Sequence, residues 1–205
     1  GVPCDVVVEQ RRPVQLEHLF MAADRQAERL HLIPTLIDGQ PNTEGRRFDG
    51  TAPTRLRGRD TGRPRPRFAT PRRVEVIDEL AAQDLVPALY FIFSRAACDD
   101  AVAACVGAGL RLTSRDEALR VRAIAEEHTR NLAGDDLVVL GYDRWLAGLE
   151  AGLAAHHAGM VPPFKEAVEA CFALGLVKVV FATETLALGV NMPARTVVIE
   201  KLTKY

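Results

Sequence analysis

Three apolar runs in this chain each break off in a short polar cluster and pass directly into a helical pattern. Ala88 to Phe93 ends in Ser94-Arg95, and a run near Leu153–Ala155 ends in His156-His157-Ala158-Gly159. Leu176 to Phe181 gives way to Thr183-Glu184-Thr185. Strands that alternate with helices imply a mostly parallel sheet covered on both faces. In an open α/β sheet of this kind, ligands bind outside the carboxyl ends of the strands. The recurrence therefore predicts one ligand-facing edge built from these three clusters.

Periodicity fills in the helices between them. Thr70 as N-cap and Pro71 at the first helical position predict a helix to about Ala82, facing the core with Val74, Ile77, Leu80 and Ala81. Cys98, Ala101, Val102 and Cys105 mark the buried face of a helix from Arg95 to about Val106, ended by Gly107 and Gly109. Ser114 and Glu117 form a capping box that opens a helix to about Leu132, with a stripe of Val121, Ile124, Ala125, His128 and Leu132. Gly134-Asp135-Asp136 reads as a break, followed by a helix centred on Trp145 and running to about Ala151. Pro162 starts a helix that buries Phe164, Val168 and Cys171, and Thr196 to Ile199 is a final strand. Trp145, Phe91, Phe93, Phe164, Phe172 and Phe181 sit in apolar patterns and read as core rather than as base-stacking platforms.

The 205 residues suffice for one α/β domain of about 150 residues with further segments. Near the start, Val6 to Val8 and Leu16 to Met21 are extended candidates. Residues 38–71 differ in kind: after the turn Asp38-Gly39-Gln40-Pro41-Asn42 they are rich in Pro, Gly, Arg and Thr, with only Leu56 and Phe68 as large apolar residues beyond Phe48. Such a stretch buries too little surface to offset its ordering entropy and is expected to be disordered. The net charge of -1 is uninformative, but only four of the 26 basic residues are lysine, and ten arginines lie between Arg46 and Arg73. Those arginines are either a solvated linker or loose contacts to a phosphate backbone.

The four cysteines include no Cys-x-x-Cys pair, so zinc spacing is absent. Cys98 and Cys105 stand about 10 Å apart along one helix face, too far for a disulfide. Buried thiols in a reducing compartment are expected. No signal peptide and no run of 18 apolar residues is seen, which gives a cytoplasmic expectation with no membrane partner. Adjacent His156 and His157 point to opposite faces of an extended segment and lack His-Glu-x-x-His spacing, so no metal is expected there. Ser94 can cap the next helix while that helix's N-terminus attracts a phosphate. Thr183 and Thr185 offer hydroxyls, and Gly189 permits close backbone approach.

Four stretches together resemble a known family. They are Phe91-Ile92-Phe93-Ser94-Arg95; Ala155-His156-His157-Ala158-Gly159-Met160 with Lys165-Glu166-x-x-Glu169 and Gly175-Leu176-x-Lys178-Val179 after it; Phe181 to Ala194; and, more loosely, Arg12-Pro13-Val14-Gln15-Leu16-Glu17-His18-Leu19-Phe20. They are similar to the second motor domain of superfamily 2 DExH-box helicases of the superkiller, HelY-like type. The resemblance covers residues 86–205 well and 5–21 loosely, and it leaves 38–71 unexplained. It implies a RecA-like α/β fold, a mostly parallel sheet with helices on both faces, truncated at its C-terminal end. The implied division is an interdomain connection over 1–23, a partly disordered Arg/Pro/Gly-rich insertion over 24–71, and an incomplete second RecA-like domain over 72–205. It also implies nucleic-acid contacts from Ser94, Arg95, His157, Gly159, Thr183 and Thr185, and an approach to ATP by Gly189 and Asn191.

The whole enzyme would use ATP and Mg²⁺ and move along single-stranded RNA or DNA, with the first RecA-like domain of the same protein as partner. This chain lacks the Gly-x-x-x-x-Gly-Lys-Ser/Thr loop, the Asp-Glu-x-His box and the paired Gly-Arg steps of the arginine-finger motif. No catalytic residue is therefore expected in it, nor a bound cofactor, and alone it should be inactive. An open sheet edge invites self-association. Two other readings compete. One is a non-catalytic α/β nucleic-acid-binding or interaction module that uses the arginine-rich stretch as a tail. The other, a flavodoxin-like nucleotide enzyme, needs a glycine-rich loop that Phe93-Ser94-Arg95-Ala96 does not supply.

Overall fold

The computed structural model describes residues 16–48, 67–183, 186 and 192–201. The chain divides into two units, Gly1–Pro71 and Arg72–Tyr205. No helix among the described residues is long and apolar enough to cross a membrane.

The first unit is built on an antiparallel hairpin of β1 (Leu19–Asp24) and β2 (Arg29–Pro34), in register from Leu19 opposite Pro34 to Asp24 opposite Arg29. A tiny hairpin of β3 (Leu36–Ile37) and β4 (Gln40–Pro41) follows, then a 3₁₀ turn over Thr43–Phe48. The strand β5 (Phe68–Ala69) pairs with the far side of β1. The Asp24 carboxylate closes the first hairpin by accepting the N–H groups of Gln26 (3.0 Å) and Ala27 (3.2 Å). Arg67 forks onto the same carboxylate, with Nη2 at 2.7 Å and Nε at 3.0 Å. Phe20, His31, Phe48 and Phe68 form a ring cluster, with Phe48 and Phe68 edge to face at 4.9 Å.

The expected disorder over 38–71 therefore does not hold for 38–48 and 67–69. Two phenylalanines far apart in sequence, with a buried carboxylate for Arg67, give that segment the partners its composition does not advertise. Residues 49–66 lie outside those described.

The second unit is a four-stranded parallel sheet in the order β7-β8-β6-β9: Leu153–His156, Val179–Ala182, Ala88–Phe91 and Thr196–Ile199. Helices α3 (Arg115–Thr129), α5 (Tyr142–Glu150) and α6 (Pro162–Ala173) cover one face. Their core joins Val121, Leu149, Val168 and Phe172 to Ala154, Val180 and Ala182 of the sheet. On the other face α2 (Arg95–Gly107) lies against β7 and β8 and carries α1 (Arg73–Ala82) beside it. Tyr90 and Phe181 pack together with centroids 5.3 Å apart.

The α3 capping box forms as its sequence predicts: Ser114 N–H donates to Glu117 (2.7 Å) and Glu117 N–H donates to Ser114 Oγ (3.2 Å). Lys178 adds a 2.8 Å ion pair to the same Glu117, and that hydrogen bond holds the carboxyl below its usual range.

Some boundaries differ from expectation. Helix α1 begins at Arg73, not at Pro71, because Glu75 accepts the Arg72 N–H at 2.8 Å and moves the cap two residues onward. Gly134-Asp135-Asp136 starts the short helix α4 (Gly134–Val139) instead of breaking the pattern. Strand β8 starts at Val179, since the N–H groups of Leu176 and Val177 still bond the Cys171 carbonyl.

Candidate nucleic-acid interface

The four strands finish level. His156 is opposite Ala182, Ala182 opposite Phe91, and Phe91 opposite Ile199. Whatever follows each strand is thus delivered to one edge, as the recurrence of polar tips requires.

At the β6 tip, the N–H of buried Ile92 makes a last sheet-like bond to the Ala182 carbonyl (2.8 Å). The chain then turns outward. Phe93, expected in the core, is 38% exposed here because it lies beyond that final bond. Ser94 adopts an extended conformation and its Oγ accepts the Ala97 N–H at 3.4 Å, capping α2. Arg95 opens the helix and is exposed.

At the β7 tip the two histidines are both buried, at 7% and 5% exposure. They point to opposite faces as alternation dictates. His156 Nε2 meets Glu169 of α6 at 2.7 Å, and its Nδ1 is buried without a hydrogen-bond partner. His157 Nε2 lies 3.1 Å from both carboxylate oxygens of Asp99 on α2, while Gly159 N–H donates to His157 Nδ1 at 3.2 Å. His157 therefore does not offer a free nitrogen to a ligand; both are engaged inside the protein. Gly159 itself is exposed, and a Cβ placed there would sit 3.6 Å from Arg95 Cδ. The two polar tips thus lie side by side.

At the β8 tip, Thr183 is 7% exposed and its N–H donates to the His156 carbonyl at 3.4 Å. The residue is buried rather than presented on an open surface. Leu186 N–H returns to the Thr183 carbonyl at 3.2 Å. Thr185, Gly189 and Asn191 lie outside the described residues. At the β9 tip, Glu200 is held by a bidentate ion pair with Arg73 at 2.7 and 3.0 Å.

The edge thus brings Ser94, Arg95, Gly159 and Thr183 together, with Arg95 as an exposed cation beside a helix N-terminus. A helix start with a nearby arginine and exposed backbone is suited to a phosphate. The sequence did not announce that Asp99 and Glu169 partner the two histidines, or that Phe93 is exposed. The Asp99 and Glu169 partnerships span 58 and 13 residues, beyond any local pattern. Among the described residues no group of three or more His, Cys, Asp or Glu side chains is arranged to hold a metal ion.

The parallel sheet with helices on both faces is that of a RecA-like α/β domain, with its polar tips at the strand carboxyl ends. No family model matches the chain. Individual relatives do. It is 46% identical over 209 residues to "Probable helicase HelY" of Mycobacterium tuberculosis H37Rv, covering 98% of this chain and 23% of that protein. It is 39% identical over 130 residues to "DExH-box ATP-dependent RNA helicase DExH11" of Arabidopsis thaliana, 63% of this chain and 10% of that protein. To "Superkiller complex protein 2" of Homo sapiens it is 37% identical over 132 residues, 64% of this chain and 10% of the relative. These matches support a fragment of a superfamily 2 DExH-box helicase, and the chain spans under a quarter of the length of the HelY relatives it matches.

Proposed function

We propose that this chain is the second RecA-like motor domain of an ATP-dependent helicase, and that its strand-tip edge grips the backbone of single-stranded RNA or DNA. The supporting observation is the level ending of the four strands, which places Ser94, Arg95, the Gly159 turn and Thr183 side by side. Ser94 and Arg95 offer the α2 N-terminus and a guanidinium to one phosphate. The Gly159 turn, free of a Cβ, lets a sugar-phosphate chain approach. Thr183 shapes the turn that presents the following segment, and Thr185 contacts the strand.

Gly189 and Asn191 form one wall of the ATP cleft. ATP and Mg²⁺ are held chiefly by the first RecA-like domain, whose phosphate loop and acidic box this chain does not contain. ATP-driven closure of the two domains then ratchets the strand, in the cytoplasm. By itself the chain binds nucleic acid and turns over no ATP.

Fluorescence anisotropy with labelled single strands tests this. Affinity should be sequence-tolerant and fall steeply between ~50 and ~200 mM salt, since backbone binding releases counterions. Arg95→Ala should shallow the salt slope by roughly one phosphate contact. Salt-independent binding, or an ATPase rate that survives repurification, would contradict the reading.

A further inference from the structure

The Asp99–His157–Gly159 chain of hydrogen bonds has an arrangement that packing alone does not require. Gly159 N–H donates to His157 Nδ1, so Nδ1 presents a lone pair and the ring proton is assigned to Nε2. That Nε2–H faces both oxygens of Asp99 at 3.1 Å. Asp99 is one turn past Arg95 on α2, and its side chain is 54% exposed. An exposed carboxylate so close to a phosphate-seeking helix start would repel a nucleic-acid backbone unless its charge were engaged. Here both of its oxygens face the imidazole.

We propose that Asp99 is a positioning residue. Through His157 it fixes the tautomer that holds the Gly159 turn against Arg95, and so sets the width of the phosphate-binding edge. This rests on the nucleic-acid reading of that edge. His157 is 5% exposed and pinned at both nitrogens, so the ring acts as a strut between α2 and the turn. A Cβ on residue 159 would come within 3.2 Å of Nδ1, a tight contact that would press directly on the strut.

The two nitrogens can be separated by isosteres on the 205-residue chain. His157→Asn keeps an acceptor near the Nδ1 position and loses the link to Asp99. His157→Gln keeps a donor near Nε2 and loses the acceptor for Gly159. Oligo(U) binding and hydrogen exchange at the Gly159 amide are read together in both variants, in Asp99→Ala and in Asp99→Asn. His157→Asn, which cuts the tie to Asp99, and His157→Gln, which cuts the one to Gly159, should each lose about tenfold in affinity, the scale of one hydrogen bond, but only His157→Gln should lose Gly159 protection as well. Asp99→Ala should lose affinity and Gly159 protection, and Asp99→Asn, which keeps an acceptor oxygen, should restore most of both.

A merely structural strut would move melting temperature in step with affinity across all four variants, and that pattern overturns the proposal. Unchanged Gly159 exchange in both His157→Gln and Asp99→Ala overturns it as well. If the parent chain binds no oligonucleotide, the interface reading falls with it; the exchange data then show separately whether the strut exists.

Discussion

Asp24 and the three buried thiols show how single residues set the chain's response to pH. The Arg67 hydrogen bond, with the N–H groups of Ala27 and Gln26, holds the Asp24 carboxyl far below the usual carboxylate range despite its burial. The folded state thus binds that proton less readily than the unfolded chain. The stabilisation is full above about pH 4 and is lost as pH falls toward the depressed value. Exchange protection of the β1–β2 hairpin should accordingly decline on acidification, and Asp24→Asn should lower it at neutral pH and flatten its acid limb. Cys98, Cys105 and Cys171 go the other way, pushed up by burial to about 12, 11 and 11. As thiols they are inert nucleophiles. A thiol-specific chromogenic reagent at about pH 8 should leave all three unmodified in the native chain and react with each once denaturant is added.

At the scale of elements, α2 and α5 show why some packing is legible and some is not. The apolar spacing of Cys98, Ala101 and Cys105 announces the buried face of α2, and all three are buried. The identity of residue 148 announces nothing, yet a Cβ there would lie 2.6 Å from Val102 Cγ1 and 3.3 Å from the Leu153 carbonyl. Gly148→Ala should destabilise by about 1–3 kcal/mol through overpacking, and adding Val102→Ala should recover a large part of it in a denaturation series.

Helix starts were legible where two signals agreed, as in the Ser114–Glu117 box, and misleading where they competed. Thr70-Pro71 has the right chemistry for a start, but the Arg72–Glu75 pairing takes the cap. The aromatic cluster of the first unit was invisible for another reason. Phe20, His31, Phe48 and Phe68 meet only through long-range folding, and local composition does not record partners.

For the whole molecule, the parallel sheet and the shared edge of its strand tips were legible because the tips recur in sequence with the same chemistry. Residues 16–48 and 67–69 were legible only at the extended run Leu16 to Met21 and the Asp38-Gly39 turn, yet they form a folded sheet unit in a chain matched over 98% of its length by the HelY relatives. Of the candidate site, the sequence announced which residues share the edge but not which of them are buried. Ser94, Arg95 and Gly159 stand on the exposed edge, whereas His157 and Thr183 support it from within.

The competing arrangement is a tail binder that works through the arginine-rich stretch. Photo-crosslinking of a 4-thiouridine oligonucleotide to the intact chain, followed by peptide mapping, separates the two. The account predicts crosslinks clustered at Phe93–Ala97 and Ala158–Met160 that disappear at high salt. Crosslinks confined to residues 46–67, with the strand-tip peptides unmodified, would contradict it.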